Sequence, residues 1–148
     1  MTFPKLFLAA ALLLPALAAV AAEPKLEATL IWATSETAAP NGKLKAVDAD
    51  VQKKLASLPL KWTKFYEMNR ETFSPADQAA KESKRVVLSD KCTLEVRHVE
   101  GDKFEVALIG NHKPVWTGVQ PLLRKEILVL GGNAPDASAW LVTLKRLE

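Results

Sequence analysis

The chain has 148 residues, with 20 Lys and Arg against 17 Asp and Glu and a formal net charge of +3 at pH 7. That mild basic balance does not supply the concentrated cationic stripe that nucleic acid demands, so no nucleic-acid partner is expected. A single cysteine excludes an internal disulfide, and two histidines without paired cysteines give no metal-ligand set at the usual spacings.

Met1–Lys5 carries one positive charge, and Leu6 to Val20 is apolar throughout apart from Pro15. Ala19-Val20-Ala21 then offers the small residues a signal peptidase needs. The apolar run, about 15 residues, is short of the roughly 20 needed to span a bilayer. The pattern predicts a cleaved export signal over residues 1–21, with the mature chain periplasmic or extracellular and lacking a transmembrane span. No cysteine stands at the cleavage point, so no lipid anchor is expected. Residues 22–148, about 125 in all, suffice for one domain with a real core.

Leu26 to Ala33 alternates, with Leu26, Ala28, Leu30 and Trp32 on one face, and predicts a strand. Thr34 to Gly42 carries Ser35, Pro40, Asn41 and Gly42 and reads as a loop. Asp48 to Ser57 is the one predicted helix. Val47, Val51, Leu55 and Leu58 form a narrow stripe suited to lying on a sheet, Asp48 is placed to cap it, and Pro59 stops it. Leu60 to Phe73 reads as a bent strand, and Ser74 to Ser83 as a loop or short helical turn. Strands are expected at Lys84–Ser89, Cys92–Val99, Lys103–Ile109, Val115–Val119, Glu126–Leu130 and Ala139–Leu147. The punctuation between the later ones is Glu100-Gly101-Asp102, Gly110-Asn111, Gly131-Gly132-Asn133 and Asp136. The expected fold is α+β: a mainly antiparallel β-sandwich or curled sheet with one packed helix.

Catalytic signatures are sparse. No Gly-x-Ser-x-Gly elbow, His-Glu-x-x-His motif or phosphate-binding glycine loop occurs, and no catalytic residue, metal or cofactor is expected. Glu67 and Glu71 share one face of the predicted bent strand, and with His98 they define the only hydrolase reading the residues allow. His98 shares parity with Leu94 and Val96, which suits a half-buried edge histidine. Cys92 fits a small buried hydrophobe opening a strand. Trp32, Trp62 and Trp140 are in phase with apolar neighbours and read as core. Trp116 is paired by parity with Pro114 and Gly118 and is the best candidate for an exposed ring. With His112 and Lys113 in the adjacent turn it forms the candidate ligand site, since a flat apolar ring matches a sugar face.

Glu126-Ile-Leu-Val-Leu-Gly-Gly-Asn133, followed by Trp140-Leu-Val-Thr-Leu144, is similar to the valine-rich Leu-Gly-Gly hairpin of bacterial secretin domains over about 20 residues. Most of the mature chain resembles small uncharacterised exported bacterial proteins in which a helix precedes a β-meander ending in Leu-Gly-Gly. That resemblance implies an envelope or extracellular β module with no catalytic residue set. The sequence therefore leads to a non-catalytic exported module that binds a protein partner or assembles in the cell envelope. A carbohydrate-binding module using Trp116, with Tyr66 or Trp62 as a further ring, and a small hydrolase using Glu67 or Glu71 with His98 are the alternatives.

Overall fold

A computed structural model describes residues 24–35, 44–77, 82–133 and 139–148. The expected export signal, most of the 34–42 loop and Asp136 lie outside these residues.

Among the described residues, alternating apolar residues build nine strands in two antiparallel sheets, and one helix lies outside the first. The first sheet contains β1 (Leu26–Thr34), β2 (Lys45–Ala46), β3 (Lys64–Phe73), β8 (Ile127–Asn133) and β9 (Ala139–Arg146), in the order β2-β3-β1-β9-β8. The second contains β4 (Lys84–Ser89), β5 (Cys92–Glu100), β6 (Lys103–Gly110) and β7 (Lys113–Pro121), in sequence order. This is the expected sandwich with one packed helix. Among the described residues no helix is long and apolar enough to cross a membrane.

The sandwich core lies between the sheets. Leu26, Ala28, Leu30, Val142 and Leu144 of the first sheet meet Val86, Leu94, Val96, Phe104, Val106 and Leu108 of the second. A second apolar layer lies on the opposite face of the first sheet, because β1 is buried on both sides. There Ile31, Ala33, Phe65, Ile127 and Leu141 receive Val47, Val51 and Leu55 from α1 (Ala49–Ala56). The stripe read from the sequence is thus the buried face of the helix. Asp48 stands at the cap position, but its carboxylate makes no cap hydrogen bond and instead accepts one from Arg70 Nη2 at 2.8 Å.

Three local features depart from the alternation. Residues 60–63 are not strand: after Ser57 the chain turns tightly, with Leu58 N–H donating to Leu55 O and Leu60 N–H to Leu58 O, and Leu60 and Trp62 pack on the helix-side core. Gly131 and Gly132 do not end a strand but lie inside β8. A Cβ at Gly131 would run into the Leu141 side chain, so close packing explains this glycine. Thirdly, β3 carries a bulge at Met68, where Asn69 pairs with Leu30 but Glu67 pairs with Ile31. The bulge reverses parity along the strand. Glu67 and Arg70 consequently face the helix, whereas Glu71, opposite Ala28, is on the other face. The shared face expected for Glu67 and Glu71 is therefore not formed.

Candidate functional site

The helix-side face carries a charged network under the start of α1. Glu67 is buried, and its Oε1 accepts from Arg70 Nε at 2.6 Å, while Lys45 Nζ approaches Oε2 at 3.1 Å without hydrogen-bond alignment. Arg70 also reaches Asp48 and, at 3.9 Å, Glu27. Burial alone would lower the Arg70 pKa, but Glu27, Glu67 and Asp48 together outweigh it and hold the guanidinium above its ordinary value. Lys145 donates to Asp50, and this hydrogen bond holds the Asp50 carboxyl below the usual range. Every carboxylate in this network has a cationic partner, so the network fastens the helix to the sheet.

Farther along the same face the chain leaves an open apolar groove of about 600 Å³. Leu58, Pro59, Leu60 and Trp62 form one wall, and Val129, Gly131 and Leu141 form the floor. Trp62 is half-buried, with Lys61 Nζ 5.3 Å from its ring centroid. The wall is held by Thr63 N–H donating to Thr34 O and by Ser35 Oγ donating to Lys61 O. Among the described residues Lys61 is the one ionisable side chain in the lining. A groove so lined offers shape and apolar area to a ligand. Sequence reasoning missed it because Leu60–Thr63 reads as strand, and only the turn after Ser57 sets Trp62 across from β8.

The residues singled out from the sequence take different positions. His112 is in the left-handed region together with Asn111 (φ 62° and 50°), forming a two-residue hairpin turn, and both His112 and Lys113 are exposed. Trp116 is half-buried rather than exposed. It packs against the sandwich core, and its ring covers Gly118, where a Cβ would come within 2.8 Å of it. The ring thus extends along β7 away from the turn, so the three residues do not form one face. Val115 and Val119 are the exposed apolar residues of this strand.

His98 stacks on Phe104 with centroids 5.0 Å apart, and its Nε2 lies 2.6 Å from Gly101 O. It belongs to the second sheet, whereas Glu67 is on the helix side of the first. Cys92 opens β5 and is buried, which pushes its pKa up to about 11. Among the described residues no group of three His, Cys, Asp or Glu could hold a metal ion.

One aromatic arrangement was not legible from spacing. Tyr66, Trp32 and Trp140 are register partners on three adjacent strands, β3, β1 and β9. Each is half-buried, and they form a row across one end of the sandwich's inner face. Gly110 packs on the Trp140 ring, and the Asn111–His112 turn leaves directly from that glycine. Trp140, at one end of this row, thus stands beside the turn that carries His112 and Lys113. No protein-family model matches the chain, and no curated protein or solved structure matches it either.

Proposed function

We propose that this chain is a non-catalytic exported module that binds a protein partner in the cell envelope. The observation that carries the reading is the groove beside Trp62: an open, apolar trough between the 58–62 wall and strand β8. Leu58, Leu60, Val129 and Leu141 suit the apolar side chains of an extended polypeptide, with Lys61 at the rim for polar contact. The export reading draws on the Leu6–Val20 run and Ala19-Val20-Ala21. Titrating the purified protein with a library of extended apolar peptides and following Trp fluorescence tests it. Binding lost in Leu60→Asp, measured at a temperature where the variant is still folded, is the expected result. Turnover by the purified protein that a point mutation abolishes, or peptide binding indifferent to Leu60→Asp, refutes it.

A carbohydrate ligand is the second reading, favoured by the Tyr66–Trp32–Trp140 row with His112 and Lys113 alongside. Flat rings set side by side stack on sugar faces. A soluble polysaccharide that alters Trp emission in the wild type, but not in Trp32→Ala, would select it over the peptide reading.

A further inference from the structure

We propose that the chain pairs with a second copy of itself through the outer edge of β8, joining two five-stranded sheets into one continuous sheet. The proposal extends the envelope-assembly reading and supplies a surface for it. Sheet edges carry unpaired N–H and C=O groups, and proteins normally block them with charges, prolines, bulges or short strands. Three of the four edges here are blocked. β4 opens with Lys84-Arg85, and β7 has Pro114 and Pro121 near its ends. β2 has two residues including Lys45, and β3 beyond it carries the Met68 bulge. β8, Ile-Leu-Val-Leu-Gly-Gly-Asn, has no charge, no proline and no register shift against β9. Among the described residues no strand pairs with its outer side.

The hydrogen-bond phase of this edge follows from its start. Arg146 N–H donates to Glu126 O, and Lys125 N–H donates to Arg146 O. Glu126 therefore faces β9, and by alternation so do Leu128, Leu130 and Gly132. The main-chain groups of Ile127, Val129, Gly131 and Asn133 point outward.

An antiparallel second copy fits that array. A two-fold axis at Leu130 sets Ile127 opposite Asn133 and Val129 opposite Gly131 of the other copy, so each outward residue donates one bond and accepts one. The same register sets Leu128 opposite Gly132 and Val129 opposite Gly131, and Leu130 meets Leu130 of the other copy on the axis as an apolar cross-strand pair. A two-fold axis brings identical residues near one another, so a charged edge would repel itself, whereas β8 carries no charge. A foreign strand would need none of this self-complementarity.

Sedimentation equilibrium of the purified protein over roughly 1 µM to 1 mM, combined with amide exchange read by NMR, tests the pairing. The expected result is a reversible dimer in which the amides of Ile127, Val129, Gly131 and Asn133 become protected as concentration rises. Those of Leu128, Leu130 and Gly132 stay protected at all concentrations by β9. Val129→Pro removes one donor per copy, or two bonds per dimer, and should weaken association roughly 100-fold at about tenfold per bond. A monomer throughout the range overturns the proposal, as does a dimer whose four outward amides exchange freely. Protection that appears only when another protein is added assigns the edge to a foreign strand and equally overturns it. Leu60→Asp should leave the dimer intact while abolishing peptide binding, so failure of one reading is distinguishable from failure of the other.

Discussion

Replacing Arg70 by Met should destabilise the protein more than any other change at the charged network. Arg70 Nε is 2.6 Å from an oxygen of Glu67, whose side chain is only 6% exposed. Removing one partner of a buried pair costs about 3–5 kcal/mol, because the other charge is left desolvated. Arg70 retains 30% exposure and its other close partner, Asp48, is half in water, so the full range does not apply. About 2–3 kcal/mol is expected, which for a domain of this size lowers Tm by about 8–12 °C. Denaturant melts of Arg70→Met, Glu67→Leu and the double variant form the assay. In the double variant the buried carboxylate is gone, so its loss should fall below the sum of the singles by about 2 kcal/mol. A loss under about 0.5 kcal/mol for Arg70→Met, or additivity in the cycle, would refute the view that this pair fastens the helix to the sheet.

Two further outcomes are expected. Lys125 has φ 63°, a left-handed backbone that glycine adopts without strain, so Lys125→Gly should raise stability by about 1 kcal/mol in urea melts; a loss would count against strain there. The Cys92 thiol should resist iodoacetamide at pH 8 in the native state and react only as the protein opens. Its folded pKa, about 11, lies above the unfolded value, so the stability tied to the neutral thiol is complete below pH 8.5. That stability is lost as pH rises through about 11, and Cys92→Ala should flatten the decline between those limits. Native labelling as fast as a free thiol would contradict the burial.

Most of the fold was legible in the chain itself, because it depends on local period. Alternation in Leu26–Ala33, Cys92–Val99 and Lys103–Ile109 needs no partner to be read, and the Val47–Val51–Leu55 stripe marks a helix face wherever the helix lies. Turn chemistry gave the hairpins at Gly101 and Asn111 for the same reason. Trp116 shows where parity stops. It separates two faces but does not say which one the sheet buries, and packing on the core between the sheets turned that ring inward over Gly118.

What only tertiary structure decided depends on contacts between distant segments. On a regular strand Glu67 and Arg70 would face opposite ways. The Met68 bulge shifts the parity of β3 between them and brings both to the helix side. The groove and the aromatic row have the same origin, since Trp62 meets β8, and Tyr66, Trp32 and Trp140 align, only once strands far apart in sequence are paired. The sequence by itself determined an antiparallel β-rich domain with one amphipathic helix, because alternation and periodicity act over a few residues. Register and strand order were decided by the packing of two sheets and a helix, which no local pattern encodes.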